Sequence, residues 1–258
     1  MNTSETLRIT SRDNPLLKEL RKLSQDGSAY RKMGRCWVEG DHLARAALLR
    51  GQRPAIAVLA ESAWTVHGSE FGAVAAKTVI VSDALFEGIS GLESSARMGL
   101  VLDLPVEAGV QPGSPCVILD RVQDAGNVGS ILRSAAAFGF RQVIALKGTA
   151  ALWAPKVLRA GMGAHFGLRL VESATVESLD ALALPFLVTS SHEGKFLHQA
   201  QLPWPCAWVL GHEGQGVAPE LMARAALAVR IAQPGGEESL NVASAAAICL
   251  HASAVGIT

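Results

Sequence analysis

The chain has no run of eighteen apolar residues without a charge, so no membrane-spanning helix is expected. Its first twelve residues are polar and hold no apolar signal region. The four cysteines (Cys36, Cys116, Cys206 and Cys249) are widely spaced and form no Cys-x-x-Cys pair. Neither a zinc site nor a disulfide framework is expected, and reduced thiols in a cytoplasmic protein are the default. His42, His67, His165, His192, His198 and His251 show no metal-ligand spacing, so no metal is expected. Gly-x-Ser-x-Gly and His-Glu-x-x-His are missing, as are the phosphate loop Gly-x4-Gly-Lys-Ser/Thr and the dinucleotide turn Gly-x-Gly-x-x-Gly. These absences exclude a serine-hydrolase elbow and a zincin, and they speak against an enzyme built on a nucleotide or nicotinamide site.

Net charge is also missing: 23 basic residues balance 23 acidic ones. Their distribution is uneven. Residues 1–53 hold eleven Lys/Arg against six Asp/Glu, and the remainder holds twelve against seventeen. Within that acidic remainder, residues 120–171 hold seven basic side chains and two acidic ones. Two basic zones in an acidic body can attract phosphates, although solvated helix faces would look the same.

With 258 residues, 49% of them hydrophobic, the chain can build one large domain or two modest ones. Residues 103–115 are rich in Pro and Gly and read as a linker. Before it, Asn14-Pro15 opens a helix to Asp26 on which Leu16, Leu17, Leu20 and Leu23 recur. A second helix is expected over 41–50, strands over 55–59 and 78–81, and a helix capped by Asp83 through Ile89. After the linker, strands are expected at 116–120, 143–146, 166–171, 186–190, 207–210 and 227–231. Helices are expected at 128–138 and 241–255. Alternating elements of this kind favour a mostly parallel sheet covered by helices.

Three glycine-bearing segments interrupt the second half: Asn127-Val128-Gly129 with Arg133, then Gly211-His212-Glu213-Gly214-Gln215-Gly216, then Gly235 through Ser239-Leu240-Asn241-Val242. Each follows an apolar strand, and a strand end that breaks into glycine exposes backbone groups able to hold a polar ligand. One composite pocket is expected. Asn127 and Arg133 are expected to face the same space, with Arg133 offering a phosphate-gripping fork. Ser239 is expected to cap the last helix. Each segment read alone also fits an ordinary turn or cap, and His212 reads as a turn residue.

In this order the segments Asn-x-Gly-x-x-x-Arg, Gly-x-Glu-Gly-x-Gly and Ile231 through Ser-Leu-Asn-Val resemble those of the SpoU (TrmH-type) RNA 2′-O-ribose methyltransferases, over Cys116 to Val255. Ile231-Ala232-Gln233 departs from the Ile-Pro-Met often seen there. The early ITSRDNPLLKELRKL stretch, with Trp37-Val38-Glu39-Gly40, is similar to the small ribosomal-protein-like rRNA-binding domain of many members. The resemblance implies an α/β fold: residues 1–104 as a small α/β RNA-binding domain and 105–258 as a mostly parallel catalytic domain ending in a trefoil knot. It implies S-adenosyl-L-methionine as donor, held by Thr189, Ser190, Leu210, Gly211, Gly216, Ile231 and Leu240, largely through backbone groups. Asn127, Arg133, Glu213, Ser239 and Asn241 would surround the reacting ribose. Arg133 would clamp the adjacent phosphate, with the proton passing to Glu213 or water. RNA, with rRNA of the large subunit favoured over tRNA, and a second copy of the chain are the implied partners. A tRNA methyltransferase and a non-catalytic RNA-binding or ribosome-assembly factor are the alternatives.

Overall fold

The computed structural model describes residues 5–105, 109–190, 193–236 and 239–256. It divides into two compact units: Met1–Val106 with Trp153–Phe166, and Glu107–Leu152 with Gly167–Thr258.

The first unit is built on a five-stranded sheet of β1 (Glu5–Ile9), β2 (Arg35–Glu39), β3 (Ile56–Ala60), β4 (Lys77–Val81) and β5 (Met98–Asp103), in the order β1-β4-β3-β5-β2. β1, β4 and β3 run parallel, and β5 runs antiparallel to both β3 and β2. Helix α1 (Pro15–Gln25) starts as expected: the Asn14 side chain accepts from Leu16 N at 2.9 Å, Pro15 follows, and Leu17, Leu20 and Leu23 are buried. After the short α2 (Ala29–Met33), α3 (Asp41–Leu49) also follows the expected span. α4 (Glu61–Phe71) follows β3, and at α5 (Asp83–Glu87) the cap is Ser82, which accepts from Leu85 N. Asp83 lies inside the helix and accepts instead from Ser62. In β2 the buried Glu39 carboxylate accepts from the Trp37 indole N–H at 3.2 Å, from the Gly91 N–H at 3.0 Å and from the Ser90 hydroxyl. Trp37-Val38-Glu39-Gly40 thus has a structural duty. Gly99 leaves room for the Trp37 ring, because a Cβ there would fall 2.3 Å from it.

The second unit is a seven-stranded sheet, parallel throughout, of β6 (Cys116–Leu119), β7 (Gln142–Leu146), β8 (Arg169–Ala174), β9 (Phe186–Thr189), β10 (Lys195–Phe196), β11 (Ala207–Leu210) and β12 (Leu227–Arg230). Its order is β10-β12-β9-β11-β6-β7-β8. The central strands β6, β7 and β11 are buried along their whole length, as expected of strands covered on both faces. One face packs Ile118, Ile144, Val188 and Val209 against Leu179, Leu182 and Leu221. Helix α6 (Ala125–Ala137) packs against α9 (Val242–Val255), which also rests on β11, and the short α8 (Pro219–Ala223) leads into β12.

Three expectations are corrected here. The first helix of this unit starts at Ala125, because the Asp124 side chain caps it by accepting from Asn127 N at 2.7 Å. The strand expected at 166–171 begins at Arg169. Ala164–Gly167 is a 3-10 turn, and Trp153–Phe166, with helix α7 (Pro155–Gly161), belongs to the first unit. The last helix is capped by Asn241, whose side chain accepts from Ala243 N (2.9 Å) and Ser244 N (3.3 Å), and not by Ser239. All four cysteines are buried, and burial pushes their thiols up to about 12, so they stay protonated and unreactive.

The Trp208 indole N–H donates to the Ser253 hydroxyl at 2.9 Å, tying β11 to α9 in the core. Ser253→Ala leaves that buried donor without an acceptor. The expected loss is about 1–3 kcal/mol of stability, read by chemical denaturation.

Candidate active site

Four parallel strands, β6, β9, β11 and β12, open at their C-terminal ends into loops that meet within the second unit. The Gly211–Val217 loop is closed on itself by paired backbone bonds between His212 and Gly216, at 3.0 and 2.8 Å. A Cβ on Gly211 would sit 2.2 Å from Gly216 and Val217 backbone atoms, so only glycine permits the loop to fold back this tightly. Gly216 has φ +68°, the left-handed region. His212 Nδ1 accepts from Gly214 N and Gln215 N, which fixes the ring as part of the turn.

The closed loop presents Glu213 to the start of α6. Its carboxylate accepts from Gln123 N (3.2 Å), Asp124 N (3.1 Å) and the Asn127 side-chain amide (3.1 Å). Burial acts to raise this carboxyl. The bonds from its own backbone N–H and from Asn127, Asp124 and Gln123 outweigh burial and hold it below its ordinary value of 4.5. The N-terminal end of α6 favours the same charge. Asn127 in turn accepts from the Asn241 side-chain amide at 2.9 Å. One polar chain therefore runs from Glu213 through Asn127 and Asn241 into the first turn of α9, joining all three glycine-bearing segments.

Around this chain lies a cavity of about 1170 Å³. Thr189 at the end of β9 and Ser190 just after it, Gly211 and Gly216 in the closed loop, Ile231 after β12, and Leu240 line it. Glu213, Ser239 and Asn241 line it as well, and Asn127 is bonded to two of these three. Leu210 is wholly buried in β11 and is not part of the lining.

Arg133 departs from expectation. Six residues along a helix turn the side chain by about 600°, roughly 120° away from the Asn127 face. Arg133 is exposed, is not among the cavity-lining residues, and makes no hydrogen bond or ion pair among the described residues. The shared space expected for Asn127 and Arg133 does not exist within one chain.

Sequence reasoning also missed Asp120 and the wall residues Arg230 and Gln233. Asp120, 3% exposed at the end of β6, accepts from Ala218 N at 2.7 Å and pairs with both Nε and Nη2 of Arg121. Arg121 Nη1 donates to Gln215 at 2.9 Å, so the pair fastens the closed loop to β6. The available signal was a carboxylate at the end of an otherwise apolar strand.

A parallel sheet whose C-terminal strand ends converge on a cavity of this size defines an α/β ligand-binding enzyme domain. Residues 114–251 match the SpoU rRNA Methylase family. The chain belongs to that family. Across 94% of its length it is 27% identical to the 23S rRNA (guanosine(2553)-2′-O)-methyltransferase RlmP of Bacillus subtilis, of which the match covers 97%. A putative RNA methyltransferase of the TrmH family from Porphyromonas gingivalis superposes with a TM-score of 0.82 at 30% identity, over 93% of this chain and 97% of that one. An RNA 2′-O ribose methyltransferase superposes with a TM-score of 0.80 at 28% identity, over 97% and 99% respectively.

The lowered Glu213 carboxyl predicts an acid signature. A depressed folded-state value adds stability above the unfolded value and loses it as pH falls through the folded one. Wild-type stability should therefore fall as pH drops below about 4.5. Glu213→Gln should show a shallower fall in that window, measured by denaturation across pH.

Proposed function

We propose that this chain methylates the ribose 2′-oxygen of a nucleotide in large-subunit ribosomal RNA, working as a homodimer with residues 105–258 as the catalytic domain and residues 1–104 as an RNA-binding domain. The chain is an RNA 2′-O-methyltransferase that uses S-adenosyl-L-methionine. The observation that carries the finer reading is the polar chain Glu213–Asn127–Asn241 at the rim of the cavity.

The cavity suits the donor. Its volume exceeds what a drug-sized ligand needs. Its wall carries an acceptor on Gln233 and a donor on Arg230 that are shut off from solvent without hydrogen-bond partners among the described residues. Thr189, Ser190, Gly211, Ile231 and Leu240 would hold the bound cofactor, which supplies a methyl group on a sulfonium. Asn127 and Asn241 orient the ribose hydroxyl beside it, with geometry set in advance by Glu213 and by the α9 cap. Glu213 is a weak base, since three hydrogen bonds already stabilise its charged form, so the hydroxyl proton passes to water.

Arg133 is assigned to the phosphate beside the target ribose, in the active site of the other subunit. Helix α6, which carries it, packs on α9. α9 leaves Ser244, Ile248, His251 and Val255 exposed along one stripe, a surface suited to a second copy. An arginine keeps its proton in a protein, so its contribution is charge and a rigid fork of donors. Placement of β12 between β9 and β10, which are consecutive in the chain, supports a knotted C-terminal fold. The basic excess of residues 1–53 supports RNA contact by the first unit.

Arg133→Ala should abolish most turnover and leave donor affinity nearly unchanged in calorimetry. Mixed dimers of Arg133→Ala with Asn127→Ala subunits should regain activity, because one of their two sites then has both residues. No recovery on mixing would place the arginine in its own subunit's site.

Comparing ribose methylation in rRNA and tRNA from cells with and without the protein tests the substrate. Loss of a single 2′-O-methyl mark in 23S rRNA is expected. A lost tRNA mark would redirect the assignment, and no lost mark together with no donor binding would make the protein an assembly factor.

A further inference from the structure

Arg230 and Gln233 flank Ile231 at the end of β12, and both line the cavity. The Nε of Arg230 and the Oε1 of Gln233 are buried without hydrogen-bond partners among the described residues. Unpaired buried groups of this kind are costly, and few occur in a folded protein without a reason. Arg230 is also held in place. It lies directly opposite Phe196 in the β10–β12 pair, and its guanidinium sits 4.1 Å from the centre of that ring. The stack fixes the plane of the fork and shields one of its faces.

The wall therefore offers a cationic donor and a neutral acceptor three residues apart. An RNA phosphate would satisfy the arginine and leave the amide oxygen unpaired. An adenine edge or a ribose has hydrogen-bond donors but no anion for the arginine. An α-amino acid head group answers both, since its carboxylate and ammonium are borne on one carbon. We propose that Arg230 and Gln233 clamp the methionyl head group of the donor, Arg230 on its carboxylate and Gln233 on its ammonium. This rests on the donor reading above. Gln233 stands in the Ile231-Ala232-Gln233 segment, where this sequence departs from Ile-Pro-Met. An apolar methionine there would offer no such acceptor, so the clamp belongs to this chain's own residues.

The head group lies at one end of the donor and the adenosine at the other. Losing the clamp should therefore weaken ligands that carry the head group and spare those that lack it.

Calorimetry on the full chain with three probes tests this: S-adenosylhomocysteine, its decarboxylated counterpart, and 5′-methylthioadenosine, which lacks the head group. Arg230→Gln should weaken S-adenosylhomocysteine about tenfold or more, while 5′-methylthioadenosine binding stays within about twofold. Gln233→Leu, which leaves the Arg230–Phe196 stack in place, should weaken both ligands that keep the ammonium and spare 5′-methylthioadenosine. The decarboxylated ligand should be insensitive to Arg230→Gln. Equal losses for all three ligands, or no loss for S-adenosylhomocysteine in either variant, would overturn the clamp. If the wild-type chain binds none of the three, the donor reading falls and the clamp with it.

Discussion

The site depends on the direction of one hydrogen-bonded chain. Asn241 must accept from the first turn of α9, so its amide nitrogen is turned toward Asn127. Asn127 must then accept from Asn241, so its own amide nitrogen faces Glu213. Glu213, a carboxylate, can only accept, and the chain ends there on the N-terminus of α6. No member can be reversed without leaving a donor facing a donor or an acceptor facing an acceptor. Each bond is worth about 0.5–1.5 kcal/mol at most in this exposed setting. The main yield is geometric: three loops from three strands share one fixed arrangement before any ligand arrives.

A second tie holds the closed loop from behind. Asp120 and Arg121 connect the end of β6 to Ala218 and Gln215. Glu213 is thus fixed at its tip by α6 and at its base by β6. Of the glycines that flank it, Gly211 serves close approach. Gly211 admits the returning backbone of Gly216, so its presence in the sequence pattern has a folding reason that stands without the cofactor.

Much of this was legible in the sequence. Strands such as Ala207–Leu210 read clearly because buried parallel strands are nearly continuous apolar runs. Asn14-Pro15 marked the start of α1 because the cap and its following proline act locally. The gathering of the three segments was readable from their order and chemistry. Several elements were not readable. β1, with four exposed residues out of five, has no apolar run, and pairing with β4 makes it a strand. Two caps were misassigned, since Ser82 and Asn241 act where Asp83 and Ser239 were expected, and the start of α6 was set at Val128 instead of Ala125. For both caps a neighbouring polar residue was locally as plausible, and the winner was set by which side chain the turn aims back at the helix. Arg230 gave no local signal, because Phe196 lies on another strand, and the signal at Asp120 did not point to its distant partner Ala218.

The phase of α6 carries the argument furthest. Asn127 sits on its first turn, bound to Glu213 and Asn241, and those bonds leave the helix no freedom to rotate. With that face fixed, the residue six places on must point elsewhere. An exposed arginine without partners among the described residues, on a helix packed against an incompletely covered α9, completes no contact within the described part of its own chain. The bonds that organise one cavity thereby aim Arg133 outward. If Arg133 grips phosphate as proposed, the orienting groups and the clamping group of one chain face different directions, and pairing two copies is the arrangement that would bring both to one ribose.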